Sequence, residues 1–330
     1  ILTILLIFIL FLKFDRKIYF FSIIYSLIFL VLLIYVNKDL FSGFDIPTGG
    51  NDGLVYLSYG NIIFNNLLNL NLYEFFRGVE SVFYFPSSLR YFWSINKFFF
   101  GETIYGYILI GYLYTIILFF ILNNLLGCIW AIILSILVFF TRIFEGYALS
   151  LYNFLEHINA GDAEPLAIFF LFLSLLIFIT IIKRNINIPI YFYSFLFGFF
   201  LFLSISLRPN YLPTGIFFII LFLVFHYFHY KDIKFSFFTI FGFAFIFSIP
   251  FHNYIYGNSY VLLSSGGHHN LHVPILTYYY AFIDLINLNW NDSYDINLIL
   301  KQLYRWIQPS EIHYIVTLLI IFISLVQKNS

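Results

Sequence analysis

Gly161-Asp162-Ala163-Glu164 leads into residues 165–182, PLAIFFLFLSLLIFITII, which end at Lys183 and Arg184. A helix rises about 1.5 Å per residue, so a stretch of this length without a charge comes close to crossing the ~30 Å hydrocarbon core of a bilayer. Its two ends differ in sign. Lysine and arginine collect on the cytoplasmic side of membrane proteins, so the basic end is expected inside and the acidic end outside.

The same reading extends along the chain. Seven further stretches have comparable length and apolarity: 18–36, 103–122, 125–141, 188–206, 215–230, 235–251 and 312–327, with 1–12 as the remnant of a ninth span. Runs that are apolar on every side give no amphipathic period, so length and charge gaps define them. The 330-residue chain is 62% hydrophobic and 10% charged, against about 45–50% and 25% for soluble proteins. The fold class expected is therefore an all-α polytopic membrane protein with eight or nine transmembrane helices, forming a single domain over 1–330. Ile1 opens the chain inside an apolar run and no Met occurs, so a truncated N-terminus is expected.

Composition also excludes functions. Lys plus Arg and Asp plus Glu number 16 each, leaving no basic excess to neutralise nucleic-acid phosphates. Cys128 is the sole cysteine, which removes intrachain disulfides and cysteine-based zinc sites. Phe 48 and Tyr 28, with abundant Ile and Asn, are what A+T-rich codons encode, so aromatic density is not read as a binding feature.

The connections alternate in length and charge. Lys13, Arg16 and Lys17, then Lys183 and Arg184, then Lys231 and Lys234, and finally Lys328 mark short basic gaps. The loops 37–102, 142–164, 207–214 and 252–311 hold 14 of the 16 acidic residues. Loops longer than about 12–15 residues are usually functional or disordered, and the apolar residues spaced through Leu54 to Phe76 predict a helix on the membrane surface. Residues 271–290 look similar. The long loops are expected outside, and the chemistry with them. No internal repeat is visible, which gives an inverted-repeat transporter no support.

Within the first outer loop, Gly49-Gly50-Asn51-Asp52-Gly53 delivers Asp52 to a helix start. Asp52 or Asn51 can be an N-cap alone, or Asp52 can be a rigidly held general base or metal ligand at the water–lipid boundary. Further on, Glu80 and Arg90 flank an apolar turn, as a loop salt bridge or as substrate contacts. In the second outer loop, Pro165 suits a first helical turn and makes Glu164 its expected cap. Asp162 and Glu164 are then two acidic groups at the mouth of a span, costly unless solvated, paired or used. Arg208, in Arg208-Pro209-Asn210, can snorkel to headgroups or hold a phosphate with its planar fork. Six of eight histidines are expected on the outer side: His157, His252, His268, His269 and His272 in these loops, and His313 at the start of the last apolar stretch. For His268 and His269, phosphate or sugar contact is favoured over metal ligation.

These features resemble the GT-C superfamily of polytopic glycosyltransferases, which take sugars from polyprenyl-phosphate carriers. The resemblance runs over roughly residues 18–260. It rests on Gly49-Gly50-Asn51-Asp52-Gly53, on Gly161-Asp162-Ala163-Glu164-Pro165 before an aliphatic span, and on Arg208-Pro209-Asn210. It implies Asp52 as the first-loop catalytic carboxylate and Asp162 or Glu164 as the second acidic position. Arg208 and Asn210 match its lipid-phosphate position, and from the residues alone Glu80, Arg90, His268 and His269 are added as expected substrate contacts. It further implies a polyprenyl-phosphate sugar donor, a glycan, lipid or protein acceptor, and an outward-facing site in a bacterial inner membrane. A divalent cation such as Mg or Mn is compatible and not required. The competing readings are an O-antigen-ligase or polysaccharide-polymerase type of enzyme, relying on Arg and His, and a transporter or membrane scaffold without catalysis.

Overall fold

The computed structural model describes residues 16–36, 51–85, 87–140, 160–182, 190–229 and 233–259, together with Phe154, His157, Ile158 and Val261. Every regular element among them is helical. In chain order they are α1 (Arg16–Val36), α2 (Asn51–Leu68), α3 (Leu72–Arg77), α4 (Ser87–Phe100), α5 (Tyr105–Leu126), α6 (Cys128–Phe140), α7 (Glu164–Ile182) and α8 (Ile190–Leu207). After the 3₁₀ turn Pro209–Tyr211 come α9 (Leu212–His229), α10 (Ile233–Phe243), a second 3₁₀ turn over Ala244–Phe247, and α11 (Ser248–Gly257).

Among the described residues, five helical segments are long and apolar enough to cross a membrane: Tyr105–Leu126, Glu164–Ile182, Ile190–Leu207, Pro209–Phe228 and Lys234–Gly257. The first two are mostly buried within the protein, whereas the last two leave most of their surface open. α5 and α7 therefore form the centre of the bundle. Apolar burial does little to join helices inside a bilayer, so close backbone approach and interhelical hydrogen bonds carry the packing. A methyl group on Gly198 of α8 would overlap the Thr239 carbonyl of α10, and one on Gly242 would overlap the Phe195 carbonyl. Ser204 of α8 donates to the Ala167 carbonyl of α7 at 2.9 Å.

Several boundaries differ from the sequence expectation, each for a local reason. Gly127, at φ +86°, separates α5 from α6, and α6 has only 13 described residues, about 20 Å of rise. The span expected over 125–141 is thus short of membrane length within the described residues. The surface helix expected over Leu54 to Phe76 is broken: Leu70 takes φ +55°, and the Asn71 side chain accepts from the Glu74 amide to start α3. Gly78, in the left-handed region, ends it. The expected loop 207–214 shrinks to Arg208 and one 3₁₀ turn.

The last described span continues past its expected end at 251, because Pro250 occupies the first turn of α11, where its missing N–H costs nothing. His252 is consequently not a loop residue but a buried one within a helix. The expected segments 1–12, 271–290 and 312–327 lie outside the described residues.

Candidate functional site

The starts of α2, α5 and α7 and the end of α8 gather at one end of the bundle. Glu164 opens α7 with Pro165 behind it, and the chain reaches it through a tight turn. Gly161 sits at φ +69°, a conformation that suits glycine, and the Asp162 amide donates to the His157 carbonyl at 3.0 Å. His157 Nδ1 meets Asp162 Oδ2 at 2.8 Å. The Asp162 carbonyl accepts from the Tyr107 hydroxyl of α5 at 2.6 Å. Tyr107 is itself held face to face against Trp93 of α4, with ring centroids 5.0 Å apart and planes 5° apart. A buried aromatic pair thus fixes the backbone of the acidic turn.

Arg208, at the C-terminal end of α8, forms an ion pair with Glu164 Oε1. Its side chain stays 40% exposed, so an incoming anion has access to it. Glu164 Oε2 is buried without a hydrogen bond. Ligand atoms of His157, Asp162 and Glu164 lie within 4.8 Å of one another. One imidazole and two carboxylates suit a cation that accepts mixed nitrogen and oxygen donors, Mn²⁺ more than Ca²⁺. Glu164 Oε2 supplies a free acceptor for such an ion, while the Arg208 pair on Oε1 weakens its pull.

The first-loop acid approaches this turn through the backbone. A methyl group at Gly53 would overlap the Ala160 carbonyl and crowd Gly161, so the N-terminus of α2 abuts the turn carrying Asp162. Asp52 is the second residue of α2, which places it in the first turn rather than at the cap position; its side chain lies outside the described residues. Two acids 110 positions apart are brought to neighbouring backbone segments.

Glu80 and Arg90 build a second, inward-facing cluster. Arg90 is fully buried, donating to the Gly78 carbonyl at 2.6 Å and to Glu80 Oε2 at 2.6 Å. Its guanidinium lies 4.8 Å from the ring centroids of both Tyr59 and Phe83, within cation–π range. Glu80 also accepts from the Tyr59 hydroxyl at 3.2 Å and the Tyr84 amide at 3.0 Å. Burial and then the Glu80 carboxylate raise the Tyr59 pKa above its ordinary value, keeping that phenol a neutral donor. Phe83 stacks on His252 of α11 at 3.8 Å, and His252 Nε2 donates to the Arg77 carbonyl at 2.9 Å. Asn253 accepts from the Phe83 amide at 2.9 Å and donates to the Val261 carbonyl at 2.9 Å. This knot ties the first loop to the last described span.

The residues singled out from sequence are therefore divided. Asp162, Glu164 and Arg208 converge, and the helix bearing Asp52 touches their turn. Arg90 directs its charge at Glu80 and at loop carbonyls, and Glu80 accepts from Arg90, the Tyr59 hydroxyl and the Tyr84 amide. Asn210 is exposed in the 3₁₀ turn, and His268 and His269 lie outside the described residues. His157, Tyr107 and Trp93 were not assigned roles from sequence. The spacing His157-x4-Asp162 was legible as a side-chain pair, whereas the Trp93–Tyr107 stack joins two helices across a turn and leaves no local pattern.

Comparison with protein-family models, with curated proteins and with solved structures finds no match to this chain.

Proposed function

We propose that this protein is a membrane glycosyltransferase that moves a sugar from a polyprenyl-phosphate carrier to an acceptor hydroxyl. The observation that carries the reading is the gathering of two carboxylates, an imidazole and a half-exposed arginine at helix ends, beside the start of the helix bearing Asp52. In this reading the chain has eight or nine spans and the site faces outward from a bacterial inner membrane. Among the described residues, the charged groups of the five candidate spans are Glu164 and Lys234. Both stand at helix ends, whereas a transport path places them near the midplane.

The chemistry follows from the parts. Asp52 removes the proton of the acceptor hydroxyl, and the acceptor oxygen attacks the anomeric carbon from the face opposite the phosphate. The bond from that carbon to the phosphate oxygen breaks, and polyprenyl phosphate leaves with the electron pair. Arg208 stabilises the charge developing on it. One displacement inverts the anomeric configuration. Asp162, held by His157 and by Tyr107, orients the sugar. A divalent cation on His157, Asp162 and Glu164 would supply further charge stabilisation. Glu80 and Arg90 serve as positioning residues that hold the loop over the site.

Donor consumption tests the reading. Membranes carrying the chain, given an isotopically labelled polyprenyl-phosphate sugar and candidate acceptors, should release polyprenyl phosphate at least tenfold faster than membranes lacking it. Where a cation takes part, chelation should suppress that release and Mn²⁺ or Mg²⁺ restore it. Equal release from both membranes would remove the support for transfer. The rival ligase or polymerase reading predicts instead that release survives loss of Asp52 and disappears with His157→Gln or Arg208→Gln.

Orientation has a separate test. Single cysteines introduced at Asn69, Asn153 and Asn291, in a chain whose Cys128 is replaced by Ser, should react with an impermeant thiol reagent added outside intact cells. One at Asn185 should not. The opposite pattern would turn the site toward the cytoplasm.

A further inference from the structure

The helix that carries Asp52 is seated closely at two glycines. At Gly53 it meets the Ala160 carbonyl, and at Gly60 a methyl group would stand 2.5 Å from Trp93 Cβ and 3.0 Å from the Ser94 amide nitrogen of α4. Both glycines are buried. They are seven positions apart, close to two full turns, so they share one face of α2 with roughly 10 Å between them along the axis. A helix held at one point can pivot about it. Held at two points of the same face, it has its axial position and its rotation set.

A second route joins these two points without passing along α2. Trp93, whose Cβ meets Gly60, stacks its ring on Tyr107 of α5, and Phe92 closes edge-on against Tyr107 at 4.8 Å. The Trp93 indole N–H is buried without a hydrogen bond, so stacking and packing hold that ring. The Tyr107 hydroxyl then donates to the Asp162 carbonyl. From Asp162 the chain runs back through Gly161 to Ala160, which meets Gly53. The circuit closes on itself: α2, α4, α5, the acidic turn and α2 again.

We propose that Trp93 and Tyr107 are positioning residues that set where the start of α2, with the backbone of Asp52, stands relative to the Asp162–Glu164 turn. That this placement serves catalysis rests on the transfer reading; the mechanical link does not. A displacement of about 1 Å between reacting groups can cost ~10²-fold in rate, so a link with no atom in the reaction still governs it.

The test follows the full chain in nanodiscs by backbone hydrogen exchange and by sugar transfer. Tyr107→Phe deletes one hydroxyl and keeps the stack, and Trp93→Ala removes the ring on which the stack depends. Each should speed exchange at the Gly161 and Asp162 amides by about tenfold, the scale on which one buried hydrogen bond resists local opening. Trp93→Phe keeps the Cβ and a stacking ring and should restore the parent's exchange. Phe98→Ala removes an edge contact with Phe64 elsewhere between α2 and α4, and should leave those two amides unchanged. In transfer, Y107F and W93A should lower kcat by about 10²-fold while the donor KM holds. In a D52N background the added loss from Y107F should shrink to about twofold, because the base being placed is gone. Unchanged exchange in Y107F and W93A would overturn the link, and Y107F keeps that arm decisive where W93A fails to fold. Losses that multiply in the double variant would overturn the placement of Asp52 through Tyr107. A parent without transfer activity would remove the transfer reading, with the exchange arm still deciding the link.

Discussion

Replacing Asp52 by asparagine is expected to lower sugar transfer by about 10²–10⁴-fold, the usual cost of losing a general base, while the protein still inserts and purifies like the parent. The amide keeps the size and most of the hydrogen bonding of the carboxylate but has no basic lone pair of useful pKa. Asp52 stands in the first turn of α2, where a negative charge complements the helix dipole by roughly 0.3–1 kcal/mol. A purely structural acid would therefore show a small stability loss and near-parental turnover. The catalytic reading requires the reverse ranking, in which rate falls by orders of magnitude and stability scarcely moves. Near-parental transfer by D52N would shift the base to Asp162 or Glu164.

Arg90→Met is expected to have the largest structural effect of any single change in the first loop. It strands the Glu80 carboxylate, whose side chain is only 16% exposed, and removes the donor that holds the Gly78 carbonyl. Breaking a buried ion pair by deleting one partner costs about 3–5 kcal/mol. The expected signs are a lower melting temperature and new protease cleavage between α3 and α4. Glu80→Gln combined with Arg90→Met should be more stable than R90M alone, because the glutamine carbonyl still accepts from Tyr84 while the stranded charge is gone. A strictly additive double variant would mean that Arg90 contributes by packing between Tyr59 and Phe83 rather than through its partner.

How much of this could be read from sequence depends on the kind of signal each part leaves. Spans such as α7 are legible because eighteen uncharged, mainly apolar residues between Glu164 and Lys183 permit little else. The acids at its mouth are legible because Glu164-Pro165 has the signature of a helix start. Pro250 misleads, since a proline ends a span in hydropathy terms and yet fits the first turn of a continuing helix. The buried face of α4 misleads further, because Leu89, Arg90, Trp93 and Asn96 point inward while Phe98 and Phe99 point out. A face made of arginine and asparagine looks like surface to any apolar pattern. Its burial is tolerable because Arg90 reaches Glu80 and the Gly78 and Phe85 carbonyls, while Asn96 pairs with the Thr103 carbonyl and the Gly106 amide. The approach of Gly53 to Ala160 is tertiary, and no local rule foresees it.

The most direct test of the account is a single-turnover transfer assay on the purified chain in nanodiscs, following both polyprenyl phosphate release and the anomeric configuration of the product. The account expects release by the parent, a product inverted relative to the donor, and about 10²–10⁴-fold slower release by D52N. A product of retained configuration, or equal rates for the parent and D52N, would contradict it.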